Sequence, residues 1–353
     1  MKGMLKGSSA SQITAVDLFC GAGGLTHGLL RGGINVAAGV DIDPSCRFPF
    51  EANNSATFIE RDVADLNAED LESFYESGSL RLLAGCAPCQ PFSSYSRSRR
   101  NREYDTQWPL VSEFGRLVRR VKPDLVTMEN VPQLLDHRVF EEFLSSLIGY
   151  KKWWAVVECS NLGVPQTRKR LVLLASMLGD KELSIDTTCG TPATVRDAIA
   201  DLPRLNAGDC DPGDALHCAS RLSDLNLRRI RQSTPGGTWR DWPTELQATC
   251  HQRQSGTTYP GVYGRMEWDS AGPTITTQSF GYGNGRFGHP EQDRAISLRE
   301  AALLQTFPRD YKFAPQGSSI KFSRMGRLIG NAVPVRLGEV IAERLVAHAK
   351  AYV

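Results

Sequence analysis

No run of about 18 or more apolar residues occurs in the chain, so the sequence offers no membrane-spanning helix. The N-terminus, MKGMLKGSSASQ, lacks the apolar centre of a secretory signal and reads as a short disordered tail. Internal repeats and low-complexity blocks are missing too, which excludes solenoid and fibrous architectures. Net charge is scarce: 41 Lys and Arg against 39 Asp and Glu leave a formal +2. Global charge cannot steer such a chain to a polyanion, so any nucleic-acid surface has to be a local patch. Metal-ligand spacing is also lacking. Cys86 and Cys89 make one C-x-x-C with no second pair and no histidine partner at finger spacing, which argues against zinc and against a thioredoxin-like redox site. The nine cysteines are odd in number and irregularly spaced. Free thiols in a reducing compartment, and so a cytoplasmic protein, are the expectation.

What is present suits an ordinary globular chain. At 353 residues, 41% hydrophobic and 23% charged, it can bury a sizeable core in one large domain or two. The first half alternates short β-rich runs with helical patterns. ITAVDLF, INVAAGVDID, ATFIERDV, LRLLAGC, PDLVTMENV, WWAVVECS and RLVLLAS read as strands, and LTHGLLRGG as a helix closed by glycine. This pattern predicts an α/β fold with a parallel sheet covered by helices on both faces. In such sheets ligands bind at the C-terminal ends of the strands, where the motifs below all fall. From about Asp180 the texture becomes rich in Asp, Gly, Pro and Thr, which predicts a smaller irregular domain. SLREAALLQTF then reads as a helix with a capping box at Ser297 and Glu300, and PVRLGEVIAERLVAHAKAY as a helix opened by proline. The boundaries expected are 1–178, 179–296, a hinge at 297–325 and a returning C-terminal segment at 326–353.

DLFCGAGG places Gly21, Gly23 and Gly24 after the first strand, where glycine lets the backbone turn tightly against a ligand. Asp41 follows at the distance of a ribose-binding acid. A nicotinamide dinucleotide site is disfavoured, because Thr26 stands where G-x-G-x-x-G needs its last glycine. A nucleoside cofactor and a purely structural turn both remain open at this point. Asp62 is a second acid at the same end of the sheet. Cys89 follows the fourth strand on a loop stiffened by Pro88 and Pro91, an odd position for a filler thiol. Glu129 ends a buried strand, which is costly for an acid without a partner or a task. Arg168 and Arg170 in QTRKR share one side by the period of two. Arg97, Arg99, Arg100 and Arg102 follow the thiol among Ser, Tyr and Asn, a mix suited to phosphate contacts. Taken singly, each of these charge runs is better explained by a solvated face.

Taken together and in order, DLFCGAGG, VDIDP, RDV, APCQPFS, ENV, QTRKR, RMEWDSAGPTITT and IGNAVP resemble the C5-cytosine DNA methyltransferases of bacterial restriction-modification type. The resemblance covers most of residues 16–175 and 261–340. It implies a Rossmann-like S-adenosylmethionine-dependent methyltransferase sheet and a target-recognition domain in the uncovered middle. Phe19, Gly21, Gly23, Asp41, Ile42, Asp62, Asn331 and Val333 are thereby implied to hold S-adenosylmethionine and its product S-adenosylhomocysteine. Cys89 is implied as the nucleophile, and Glu129 and Arg168 as the groups gripping the cytosine. Asp41 stands where the family usually has glutamate, Ala271 where proline is common, and Cys20 where alanine is common.

The chemistry asks for these residue types. Carbon 5 of cytosine is a poor nucleophile until a thiolate adds at carbon 6 and pushes electron density onto it. A protonated Glu129 would donate to ring nitrogen 3, and Arg168 to the carbonyl oxygen at carbon 2. The base has to leave the duplex first. Arg97, Arg99 and Arg100 would then meet phosphates, and Arg228, Arg229, Arg231 and Arg240 in the middle domain are candidate DNA contacts, arginine being the commonest reader of guanine. The expected partner is double-stranded DNA. A cognate restriction endonuclease without direct binding, no metal and a monomeric protein complete the expectation. Two rivals stay in play: a catalytically silent DNA-binding protein on the same fold, and the tRNA-methylating branch.

Overall fold

The computed structural model describes residues 12–88, 109–188, 190–253 and 259–352. Two compact units emerge, with the chain passing between them more than once. The first comprises Met1–Val157, Lys169–Asp186 and Leu337–Val353; the second comprises Glu158–Arg168 and Thr187–Arg336.

The first unit is built on strands β1 (Ile13–Leu18), β2 (Asn35–Asp41), β3 (Thr57–Glu60), β4 (Leu80–Gly85), β5 (Leu125–Asn130) and β6 (Lys151–Glu158). After the two-residue β7 (Gln166–Thr167), β8 (Lys169–Ser176) completes the sheet in the order β3-β2-β1-β4-β5-β8-β6. β1 pairs in parallel with β2 and β4, β2 with β3, and β4 with β5, but β8 runs antiparallel to β5. The expected all-parallel sheet is therefore a mixed one. Residues 159–168 between β6 and β8 hold only a short 3-10 turn, and a parallel return needs a much longer crossover.

The helices follow from apolar spacing. α1 (Gly24–Arg31), α2 (Arg47–Glu51) and α3 (Ala68–Glu72) are short, whereas α4 (Pro109–Val121) and α5 (Arg138–Ser146) carry full apolar faces. Val111, Phe114, Leu117, Val118 and Val121 of α4 pack with Phe140 and Phe143 of α5 onto Val16, Leu18, Leu83, Val126 and Met128. Phe114 and Phe143 meet edge to face at 5.2 Å. Each such fully buried side chain contributes roughly 1.5–3 kcal/mol. The alternate strand residues Ala15, Val36, Leu82, Val172 and Leu174 are buried on the opposite face, so both faces of the sheet are covered, as the sequence pattern implies.

The second unit is irregular, again as the texture implies. Its helices are α6 (Val195–Ile199), α7 (Asp224–Gln232), α8 (Leu298–Leu304) and α9 (Phe322–Asn331), and a two-residue strand β9 (Gly272–Pro273) pairs with β7. The chain closes with α10 (Val335–Lys350). The segment expected as a hinge, 297–325, is packed core in its first part: α8 is buried and Phe307, Tyr311 and Phe313 meet one another at tilted and edge-on angles beyond it, while residues 315–319 are exposed. The expectation of free thiols fails at one place, because Cys210 and Cys218 form a disulfide. Asp211 accepts from the backbone N–H groups of Gly213 and Asp214, folding the loop so that residues 210 and 218 face each other across a short antiparallel bridge. No cysteine spacing rule signals such a turn. No helix among the described residues is long and apolar enough to cross a membrane.

Candidate active site

The pairing of the strands puts the chemistry-bearing residues of the first unit along one edge of the sheet. Parallel β1, β2, β3, β4 and β5 end there together, with Leu18 opposite Val40 and Gly85, and Gly85 opposite Met128. Because β8 is antiparallel and Asn130 pairs with Leu171, the start of β8 lies at this same edge.

At the end of β1 the chain turns sharply. Phe19, Gly21 and Gly23 have φ of 59°, 53° and 88°, left-handed values that glycine adopts without strain and Phe19 does not. The turn is held from β2: Gly21 N–H donates to Asp41 Oδ2 at 2.9 Å, and Asp43 N–H to Asp41 Oδ1 at 2.9 Å. Asp41 is thus fixed by two backbone donors, and each of its oxygens keeps a lone pair for a further donor. Burial raises its pKa, against the pull of the Asp43 and Gly21 N–H groups. Ile42, next in line, is 63% exposed, an apolar platform with no protein cover. A Cβ on Gly21 would meet nothing within 4 Å, so the turn is open on its outer side. Asp62 follows β3 and accepts from Ala64 N–H at 2.9 Å. An open glycine turn, a carboxylate with spare lone pairs and an uncovered apolar side chain fit an adenosine group bearing ribose hydroxyls. Asn331 ends α9 exposed and Val333 is buried just beyond it, both in the second unit.

Glu129 is 2% exposed at the end of β5. Among the described residues two side chains meet it: Arg170 Nε lies 2.8 Å from Oε1, an ion pair without hydrogen-bond geometry, and the Cys86 thiol donates to Oε2 at 2.7 Å. The neighbouring Asn130 is tied into the loop after β4, since its Nδ2 donates to Ala87 O at 3.0 Å and its Oδ1 accepts from Val131 N–H. This bond clamps the chain just before Cys89. Cys89, Arg97, Arg99, Arg100 and Arg102 themselves lie outside the described residues.

Arg168 behaves differently from its expected role. It falls between β7 and β8, so the alternation that pairs it with Arg170 in the sequence is broken. Its guanidinium is buried in the second unit, donating to the carbonyls of Ile275 at 3.0 Å, Ala332 at 3.3 Å and Gly330 at 3.4 Å. Arg170 is the QTRKR arginine at Glu129. Sequence reasoning passed over it and Cys86; the antiparallel turn of β8, which the sequence does not announce, is what brings Arg170 there.

The candidate DNA contacts also separate. Arg229 is buried, donating to Leu246 O at 2.7 Å and Asn226 Oδ1 at 3.0 Å while lying over the rings of Trp242 and Tyr263. It braces the core of the second unit and is not available to a base, which corrects its place in the expected cluster. Arg231 is exposed and paired with Asp293 at 3.3 Å. Arg228 is exposed, and Arg240 lies over the Trp239 ring at 5.6 Å with its head at the surface. Among the described residues no group of acids, cysteines and histidines could hold a metal ion.

Residues 13–347 match the family described as C-5 cytosine-specific DNA methylase. The chain is 53% identical over 338 residues to the Type II methylase M.HgiDII of Herpetosiphon aurantiacus, covering 94% of each. It is 30% identical over 345 residues to the Type II methyltransferase M1.HphI of Haemophilus parahaemolyticus, covering 95% of this chain and 87% of that one. Among solved structures, a prophage-encoded E. coli protein described as a DNA modification methyltransferase superposes with a TM-score of 0.71 at 22% identity, over 95% of this chain and 98% of that one. That likeness bears on the fold alone.

Proposed function

The chain belongs to the C-5 cytosine-specific DNA methylase family, and on that premise we propose that it methylates carbon 5 of a cytosine flipped out of a specific duplex DNA sequence, through a transient bond between Cys89 and carbon 6. The observation that carries this reading is the environment of Glu129. A buried carboxyl stands at the sheet edge with an arginine at one oxygen, and its neighbour Asn130 clamps the loop that leads into Cys89. Such a group is positioned to meet the polar edge of a planar base presented to the thiol.

The roles divide as follows. The Cys89 thiolate adds to carbon 6, and the electron pair moves toward carbon 5 and ring nitrogen 3. In its protonated form Glu129 donates to nitrogen 3 as charge builds there, and Arg170 beside it stabilises the developing charge. Bound S-adenosylmethionine supplies the electrophilic methyl group. Phe19, Gly21, Gly23, Asp41, Ile42 and Asp62 hold the nucleoside at the β1, β2 and β3 ends. Once carbon 5 is methylated, its proton leaves and the thiolate is expelled, restoring the ring and freeing Cys89. Arg168 takes a structural role here, securing the carbonyls of Ile275, Gly330 and Ala332. Of the candidate cluster, Arg228 and Arg240 are exposed and are the ones offered to DNA. The names of the two bacterial relatives support a place in a restriction-modification system.

The test uses duplex DNA carrying 5-fluorocytosine at the target, in which release of the base is blocked. With S-adenosylmethionine a covalent protein–DNA complex should accumulate, and its cross-linked peptide should contain Cys89. Cys89→Ser should give no such complex and no methylated DNA. Full methylation by that variant would sink the mechanism.

A further inference from the structure

Asp17 lies on β1 just before the glycine turn and is 1% exposed. Its Oδ2 accepts from Thr26 Oγ1 at 2.6 Å, and its Oδ1 has no partner. The charged group bearing on it is another acid, Asp41 on the adjacent strand, and the Cys20 thiol in the turn between them is itself kept neutral by burial and by both acids. The hydroxyl and backbone N–H of Thr26, with no neighbouring cation among the described residues, are poor support for a buried carboxylate whose other oxygen is unmet. Burial pushes the Asp17 pKa up to about 7, with the Thr26 hydroxyl opposing and Asp41 adding to the rise. Anchoring α1 to β1 through Thr26 does not explain this residue, because asparagine would accept the same bond. What an acid has and asparagine lacks is a proton to release.

We propose that Asp17 holds a proton in the cofactor-free protein and releases it when a sulfonium cofactor settles on the glycine turn, so that the site favours the cationic methyl donor over its uncharged-sulfur product. This rests on the S-adenosylmethionine reading above. The step breaks one O–H bond; the proton passes to solvent and the carboxyl goes from neutral to a single negative charge. Asp17 need not touch the ligand, since a charge in a low-dielectric interior acts over several ångströms. The sign is fixed by linkage: a proton released on binding makes affinity rise with pH. S-adenosylhomocysteine lacks the sulfonium charge and drives the release only weakly. Product leaves more readily as a result.

Calorimetric titrations of the full chain with each ligand, in buffers of different ionisation heat, count the protons. S-adenosylmethionine should release close to one proton at about pH 6 and about half a proton at about pH 7, and S-adenosylhomocysteine much less at either pH. The preference for the donor should grow roughly tenfold from about pH 6 to about pH 8. Asp17→Asn keeps the Thr26 bond and should bind both ligands with a preference independent of pH. Equal proton release by both ligands overturns the proposal and leaves the cofactor reading intact; failure of either ligand to bind overturns that reading and this proposal with it. Carbon-13 spectra of aspartate-labelled, ligand-free wild-type protein provide a check that needs neither ligand nor variant. A carboxyl titrating near neutrality supports the proposal, and the absence of one overturns it.

Discussion

Arg168 and Arg170 stand two positions apart and do different work. The guanidinium of Arg170 faces a single carboxylate at the sheet edge, whereas that of Arg168 gathers three backbone carbonyls in a buried setting. Arg170→Ala should therefore lower the single-turnover methylation rate by about 10²-fold or more, in the range seen when one charge-stabilising donor is removed, and it also costs stability by leaving the buried Glu129 without its cation. Arg168→Ala should act first on stability, by roughly 1–3 kcal/mol, because it strands buried acceptors. Rapid-quench methylation and urea denaturation on both variants separate the two; the reverse pattern would return the gripping role to Arg168. At this scale the sequence points to the residue types that the proposed chemistry needs. Cys89, Glu129 and Asp41 stand out by position alone. It misled where a role depends on a remote partner: the β7 segment that diverts Arg168 pairs with Gly272 and Pro273, about a hundred residues away, and no local period encodes that.

α8 shows the same limit one level up. Its capping box is legible in the sequence and is present: Glu300 N–H donates to Ser297 Oγ at 3.1 Å and Ser297 N–H to Glu300 Oε2 at 2.6 Å. Not legible is that Glu300 also receives Arg294 through both oxygens at 2.7 Å, or that His289 lies against this pair. Backbone N–H groups of Glu291 and Gln292 both donate to His289 Nδ1, which fixes a neutral ring. Burial first, then the nearby arginines, hold its pKa down to about 4 despite the opposing pull of Glu300. The unfolded chain takes up that proton near 6.5, so stability is full above this pH and falls as pH drops toward 4. The loss is on the order of 3 kcal/mol. Urea midpoints at about pH 7 and about pH 5 should show it, and His289→Leu, though weaker overall, should lose most of the pH slope. The Cys210–Cys218 bridge belongs to the same scale. It closes a loop with a sequence separation of 8, for which chain entropy predicts a contribution of about 2.5 kcal/mol. Denaturation with and without a reductant measures it, and an unchanged midpoint would assign the bridge no role in stability.

At the scale of the whole chain, the order of strands was readable because a doubly covered sheet leaves long apolar runs bounded by glycine and proline, and each strand expected in the first half is present. The partition was less readable. Composition marks where the texture becomes irregular, but whether a segment such as 297–325 is linker or core depends on Phe307, Tyr311 and Phe313 finding one another, which composition does not report. The interleaving of the two units has its own consequence. α10 belongs with the first unit: Glu339 pairs with Arg31, and Gly32 leaves room for Ala342 where a side chain would collide. Translation therefore runs against assembly. The ribosome finishes β1 and α1 early, then makes all of residues 187–336 before the helix that covers α1 emerges. Through that interval the nascent chain carries an uncovered flank that a holding chaperone would shield, and a stop codon between the end of β8 and residue 337 yields a fragment that has every strand of the sheet but lacks the helix that packs on α1.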